Sequence, residues 1–517
     1  MEKKKIALII APRIQDDFGY TPAGAGLVKA AITKAGHECK IFDFNAELEH
    51  SFIGNREELV PIDNWFLNHN FYSEKIYEKI LGLAEEWVDK VMDYDPTHVG
   101  ISVFSYNSQR ATILLSTILK KRRPEMQIFM GGAGLNTDNN FGPYCMERKI
   151  MDCWIRGEGE LSVPAYLNDD MTHPGLNGIP PKQIDKIDDL EFPDYSDYEL
   201  SSYTNKKGLV ALPITGSRGC VRACTFCDIA SMWPKYKFRS GKSIATEIKT
   251  QVARYNAKAF RFTDSLINGS MKAFREMTYE LSEFRMAMEP EDRFTWDSHF
   301  IVRSKKQMPP EDFAKMAQSG AGTMLIGVES GSPSVRDHMK KGYTDEDLHY
   351  SLTELFKNNI KVRFLMIIGY PTETENDFQQ TLEFFDRYAE YGRQGQVEEV
   401  NLGLTLNLLP NTPLFDNAEQ FGLETTKQHI NDWICVQNPD LDYRARLKRR
   451  ITAQRYVENL GYKVFESKNY VRALSIAWNE VKDLKTKTTK VDASKLKFDR
   501  EKGVLEQQPD FDPLRTY

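Results

Sequence analysis

Cysteine is scarce in this chain: seven in 517 residues, at positions 39, 145, 153, 220, 224, 227 and 435. So thin a supply excludes a disulfide-stapled scaffold. Long apolar runs are missing as well, and none approaches the ~20 residues of a membrane span. The lysine-rich start precedes only Ile6 to Ile10 before Pro12, too short for the apolar core of a secretory leader. Nor is there a surplus of positive charge. The 68 Lys and Arg against 74 Asp and Glu give −6, which argues against phosphate-backbone binding as the main activity. A cytoplasmic protein with no nucleic-acid or membrane partner is expected. What remains is ordinary globular material, 41% hydrophobic and 27% charged, with length for about three domains.

The first part of the chain alternates strand and helix. Apolar runs at 5–11, 39–44, 98–103, 127–130 and 152–155 read as strands buried on both faces, with helices at 23–35 and 108–121 between them. This rhythm implies an α/β, Rossmann-like parallel sheet over 1–167 whose strand C-terminal ends frame a crevice. Residues 45–95 interrupt it. Ile76, Ile80, Leu83, Trp87 and Val91 keep helical spacing there, and Trp65, Phe66, Phe71 and Tyr72 read as packing or as cover for an entrance. A proline-bearing stretch, 168–208, reads as a linker. A second series follows over 209–425, with strands expected at 209–215, 259–264, 294–300, 323–329, 362–369 and 400–409. Six βα units suit a partial TIM-like barrel open on one side. The remainder, 426–517, reads as helical at 443–460 and 470–485, then as a polar tail.

The decisive segment runs Thr215-Gly-Ser-Arg-Gly-Cys220-Val-Arg-Ala-Cys224-Thr-Phe-Cys227, directly after the first strand of the second series. Three thiolates at C-x3-C-x2-C spacing can hold three corners of a [4Fe–4S] cubane, because soft thiolate suits iron. No fourth ligand is near, so one iron stays open for another molecule. A zinc site would want four ligands; no histidine follows, and Cys435 is remote. The other four cysteines read as small buried hydrophobes.

This cluster, with Phe226 before its last cysteine, resembles the signature of the radical S-adenosylmethionine (SAM) superfamily. Further segments resemble the subgroup with an N-terminal cobalamin-binding-type domain, the class B methyltransferase-like enzymes. They are Gly131-Gly132, Arg156-Gly-Glu-Gly-Glu160, Arg239-Ser-Gly241, Gly327-Val-Glu-Ser-Gly-Ser332, Lys340-Lys-Gly-Tyr-Thr344 and Ile368-Gly-Tyr-Pro-Thr-Glu373. The resemblance implies a cluster on Cys220, Cys224 and Cys227 and SAM on the open iron. Reductive cleavage of SAM would then functionalise an unactivated carbon. It places Phe226, Thr263, Asp264, Ser298, Glu329, Ser330, Lys341, Ile368 and Gly369 around SAM, with Lys341 on the methionine carboxylate. It implies a small-molecule substrate and an electron donor such as flavodoxin or ferredoxin.

For cobalamin, Ser102, Ser105, Gly131 and Gly132 at strand ends are the candidate pocket residues. The usual Asp-x-His-x-x-Gly cobalt-ligand motif is absent, since the loop after the first strand reads Arg13-Ile-Gln-Asp-Asp-Phe-Gly-Tyr20. His37 lies beyond the next helix. Cobalamin-dependent methyl transfer to a small molecule is therefore the leading expectation. A cobalamin-free hydrogen-abstraction or cyclisation enzyme is the alternative, and a non-enzymatic iron–sulfur sensor or scaffold the remote one.

Overall fold

The computed structural model describes residues 2–12, 21–51, 74–137, 140–205, 208–425 and 433–465. The chain divides into two compact units between Leu212 and Pro213. In the first, β1 (Lys5–Ile10), β2 (Glu38–Asp43), β3 (His98–Ser102), β4 (Gln127–Gly131) and β5 (Cys153–Ile155) form a parallel sheet in the order β2-β1-β3-β4-β5. The order reverses between β1 and β3, where doubly wound sheets open their crevice. The interrupting segment contributes a helix, Glu74–Tyr94, as its periodicity predicts. A second helix, Phe44–Ser51, was not expected. Phe44 and Trp87 stack with ring centroids 5.3 Å apart inside a core shared with the helix Gln109–Arg122. Trp65, Phe66, Phe71 and Tyr72 lie outside the described residues, as do the loop 13–20 and the expected helix at 470–485.

The stretch 168–208 is not a free linker but is packed within the first unit. The Lys29 ammonium, 7% exposed, reaches Asp197 at 2.7 Å and Asp194 at 3.4 Å. Asp197 also accepts from the Ile41 N–H of β2, and the Tyr203 hydroxyl donates to Asp43. Tyr195 is fully buried. Its prolines end regular structure, while its tyrosines and acids find buried partners, which a proline count does not disclose.

The strand β6 (Ala211–Ile214), in which the division falls, leads into a short antiparallel ladder of β7 (Ser217–Arg218) with β8 (Lys237–Phe238) in the second unit. Then come β9 (Ala259–Phe262), β10 (Thr295–Phe300), β11 (Ala321–Glu329), β12 (Lys361–Met366) and β13 (Val397–Asn401), which with β6 make a six-stranded sheet in sequential order. This is the partial barrel expected. Most of the helices alternating with these strands are started by side-chain caps, Pro310–Gln318 being the exception. Thr344 and Thr374 each form a capping box, with Asp347 and Asp377 respectively. β12 and β13 are shorter than expected. The apolar residues after Asn401 leave the sheet, and Leu406, Leu408 and Leu414 pack with Trp433, Val335 and Tyr370 in a separate cluster. That cluster also holds β14 (Leu423–Thr425) and β15 (Trp433–Cys435), an antiparallel pair. The helix Tyr443–Asn459 follows. Among the described residues no helix is long and apolar enough to cross a membrane.

Side-chain alternation separates the two faces of this sheet. Trp296 donates its indole N–H to the Ser319 carbonyl, and Phe262, Phe300 and Phe364 pack on Trp296, Phe313 and Phe384. These rings define the helix-covered face. Arg261, Asp297, His299 and Arg363 therefore occupy the inner face.

Candidate active site

The cysteine loop begins at the C-terminal end of β6, and buried polar groups fix its start. The Asp264 carboxylate, 2% exposed, accepts from the Gly216 N–H at 2.8 Å and the Ser217 hydroxyl at 2.5 Å. Arg239 donates to the Thr215 carbonyl at 3.1 Å and is paired with the buried Glu247. Burial lifts the Asp264 carboxyl to about 7, with Ser217, Gly216 and Arg239 opposing. The centre of the loop is tied down by Thr225, wholly buried. Its hydroxyl meets the Tyr370 hydroxyl at 2.9 Å, its N–H donates to the Met339 carbonyl, and its carbonyl accepts from the Leu414 N–H. Phe226 packs against the apolar cluster around Trp433.

The three thiols are half-buried. The Arg222 N–H points to the Cys220 sulfur at 3.4 Å. Burial raises the Cys224 thiol, with Lys341 pulling the other way, and pushes Cys227 up to about 11 against a backbone hydrogen bond with Ile229. Ionised thiolates are thus disfavoured until a metal compensates them, as binding to iron does. Among the described residues no three His, Cys, Asp or Glu side chains converge as ligands of one ion. A cubane puts each thiolate on a different iron, farther apart than ligands sharing one zinc. Three soft thiolates carried on one loop are a donor set that suits an iron–sulfur cluster.

Beside Cys224 stands a buried ion pair. Lys341 Nζ lies 3.0 Å from Glu329 Oε1, with side chains 13% and 11% exposed. Burial works against the Lys341 charge, but Glu329, Tyr343 and Cys224 outweigh it and hold the ammonium above its usual value. Glu329 ends β11 in a left-handed conformation, φ +65°, which costs a side-chain-bearing residue of order 1–3 kcal/mol. The pair lies over Gly327, where an added Cβ would come 3.1 Å from Lys341 Nζ.

The remaining expected positions separate into two groups. Thr263 is exposed just past the end of β9, its hydroxyl 3.0 Å from that of Thr215, so it lies beside the start of the cysteine loop. Ser298, by contrast, is fully buried on the helix-covered face with Trp296 and Phe300, and donates to the His299 carbonyl. Ser330 is also fully buried, and its hydroxyl is engaged by Thr381 and the Ser332 N–H. Ile368 is 1% exposed, and Gly369 (φ +80°) is covered by the Arg446 side chain. Asp264 spends its carboxylate on the loop. His299 and Asp297, on the inner face, were missed, although the alternation of Trp296 and Phe300 marks them.

In the first unit, Ser102 and Gly131 are register partners at the ends of β3 and β4. Gly132 has φ +117°, and a Cβ there would stand 2.6 Å from the Val103 carbonyl oxygen, so it serves close backbone approach. The Ser105 carbonyl accepts from Ser108, and Phe104 is exposed.

Residues 214–385 match the family model described as Radical SAM superfamily, so the second unit carries a radical SAM domain and the protein is an enzyme of that kind. Its cofactors are accordingly a [4Fe–4S] cluster and SAM. Among relatives, cytidylyl-2-hydroxyethylphosphonate methyltransferase of Streptomyces wedmorensis is 24% identical over 68% of this chain and 69% of its own. The fold is shared with two cobalamin-dependent radical SAM proteins. The methyltransferase TsrM from Kitasatospora setae, bound to cobalamin and a [4Fe–4S] cluster, aligns with a TM-score of 0.59 at 17% identity, over 86% of this chain and 81% of its own. OxsB with aqua-cobalamin aligns at 0.61 and 16% identity over 81% of this chain and 61% of its own.

Proposed function

We propose that the protein transfers a methyl group to an unactivated carbon of a small molecule by cobalamin-dependent radical SAM chemistry, in the cytoplasm, with flavodoxin or ferredoxin as electron donor. The observation that carries this reading is the adjacency of Cys224 to the buried Glu329–Lys341 pair, at the end of a loop with three cysteines and no fourth. When bound, the reduced cluster and cobalamin supply the electron and the methyl carrier. The chain's own part is positioning. Cys220, Cys224 and Cys227 would hold the cluster. Lys341 offers a fixed point charge to the methionine carboxylate, and Glu329 keeps that ammonium in place and offers an acceptor to the methionine amino group. Thr263 adds an exposed hydroxyl. Asp264, Arg239 and Thr225 keep the loop rigid, and the apolar cluster around Phe226 shields one side from water. For cobalamin, the parallel sheet with its switch between β1 and β3 is a fitting frame, Ser102 and Gly131 lie at strand ends there, and the segment 13–20 contains no histidine.

The test is anaerobic reconstitution with iron, sulfide and cobalamin, followed by analysis of SAM products. We expect four irons per chain, a corrin absorption band, and both S-adenosylhomocysteine and 5′-deoxyadenosine; Cys224→Ala abolishes SAM cleavage. Zinc in the loop, or intact SAM beside a reduced cluster, would overturn the radical reading. 5′-Deoxyadenosine alone without a corrin band would replace methyl transfer by hydrogen abstraction.

A further inference from the structure

A cation taken partly out of water needs an anion beside it. Around the cysteine loop Arg239 has Glu247, and Lys341 has Glu329. Arg222 and Arg303 are different. Arg222 stands inside the loop, between Cys220 and Cys224. Its Nη1–H donates to the Gly342 carbonyl at 2.9 Å and its Nη2–H to the Val302 carbonyl at 3.5 Å. Arg303 donates from Nη2 to the Asn268 and Gly269 carbonyls at 2.7 and 3.0 Å, and its Nε is buried with no acceptor. Among the described residues neither guanidinium has a carboxylate within ion-pair distance.

Carbonyl oxygens fix a guanidinium in place but do not cancel its charge, and arginine does not shed its proton. The two side chains also lie near enough to disfavour each other. Burial, with Arg222 adding, holds the Arg303 guanidinium below its ordinary value, while Tyr236 and Cys220 pull the other way. Arg222 in turn favours the ionised form of Cys224, and its main-chain N–H points to the Cys220 sulfur at 3.4 Å. Gly342, with φ +64°, belongs to the arrangement, since a Cβ there would stand 2.5 Å from Arg222 Nη1. The chain thus keeps two cations without carboxylate partners on the flank of its cysteine loop. Main-chain carbonyls of three other segments hold them there, at a cost that an anion on the thiols would offset.

We propose that Arg222 and Arg303 are the counter-charges of the iron–sulfur cluster and raise its reduction potential. The inference rests on the radical SAM reading and deepens it, by naming the residues that set how readily the site takes its electron. A cubane on three thiolates is an anion. The single electron from a flavodoxin- or ferredoxin-type donor adds one negative charge to it, with no bond made or broken and no proton moved. Both guanidiniums favour that more negative state, and their half-buried positions limit the screening of this attraction by water and salt. The Arg222 N–H directed at the Cys220 sulfur works in the same direction, and being main-chain it survives any change of the side chain. The two arginines act through the cluster, with no contact to substrate required.

The test is a redox titration of the reconstituted holoenzyme without SAM, followed by the low-temperature electron paramagnetic resonance of the reduced cluster. Arg222→Gln and Arg303→Gln each remove one charge and keep a side-chain N–H. Each is expected to make reduction about tenfold less favourable, a fall of about 59 mV in the midpoint of a one-electron couple, and the double variant should fall further. Arg222→Lys and Arg303→Lys keep the charge and should stay much nearer the parent. Lys305→Gln, at an exposed position two residues from Arg303, should leave the midpoint where it is, because water and salt screen that charge. Midpoints that move in neither Gln variant, or that fall as far with Lys as with Gln, would overturn the inference. Should a Gln variant fail to retain iron, the Lys variant at that position must retain it. Loss of iron with Lys as well would show that the position supplies the shape of arginine rather than its charge, which overturns the inference equally. A parent protein that holds no cluster refutes the radical SAM reading and this inference together. A parent that cleaves SAM, with a midpoint indifferent to both arginines, refutes the inference alone.

Discussion

At the scale of single residues, Glu329 shows how a site is bought with local strain. Its φ of +65° turns β11 out of the sheet just where its carboxylate meets Lys341. Removing Lys341 leaves that carboxylate buried and unpaired, a loss of about 3 kcal/mol or more. Lys341→Met should therefore lower the stability of the apoprotein in denaturant titration by that amount and abolish retention of SAM. The double variant Lys341→Met with Glu329→Gln should regain most of the stability but none of the SAM binding. If SAM binding returned with stability, the pair would be structural only.

Asp264 gives a second prediction at this scale. Its folded value of about 7 lies above the ordinary 3.8, so between about pH 4 and 7 the folded state holds a proton that the unfolded state has released. By linkage, stability falls as pH rises through this window, and the contribution is full only below it. Asp264→Asn removes the titration and keeps an acceptor oxygen for the Gly216 N–H. Its stability, measured by denaturant titration from pH 5 to pH 8, should decline less steeply than that of the parent; an unchanged slope would show that Asp264 is ionised throughout.

At the scale of elements, the strands and their alternation with helices were legible because buried parallel strands are short apolar runs and their loops carry glycine and acid. The cysteine loop was legible for a stronger reason: three thiols in eight residues have few physical meanings. Faces were harder. Ser298 attracts notice as a polar residue at a strand end, yet Trp296 and Phe300 on either side fix it on the helix-covered face, and period-two counting would have chosen Asp297 and His299 instead. The loop 367–374 was legible only as a motif, because its supports are distant in sequence. Glu373, fully buried, accepts from the Gly369 N–H and pairs with Arg449 at 2.9 Å, while Arg446 lies on the Trp433 ring at 3.7 Å and covers Gly369. The helix Tyr443–Asn459 is thereby a clasp on the loop after β12. Burial lifts Glu373 to about 7, with Arg449 opposing. Arg449→Met should cost up to about 3 kcal/mol at pH 8, where the parent's Glu373 is ionised and paired with the arginine, and visibly less at pH 6, where the parent's carboxyl already holds its proton. A loss independent of pH would mean that packing of the arginine stem dominates.

At the scale of the whole molecule, the chain carries two parallel α/β units, each expected to hold a chromophore of its own. The cysteines proposed to bind iron all belong to the second unit, while the candidate corrin-pocket residues Ser102, Ser105, Gly131 and Gly132 all belong to the first. The two can be removed separately. Gly132→Val places a branched side chain at φ +117°, where its Cβ would meet the Val103 carbonyl oxygen at 2.6 Å, so the ends of β3 and β4 must part. This variant should lose the corrin band and keep its iron. Cys224→Ala should lose the cluster and keep the corrin band. With the first variant, SAM should still be cleaved to 5′-deoxyadenosine in the presence of reductant while S-adenosylhomocysteine disappears; with the second, neither product should form. Loss of iron from Gly132→Val together with an intact corrin band would place cobalamin elsewhere than at the ends of β3 and β4, and would reduce the glycines there to the backbone geometry they plainly serve.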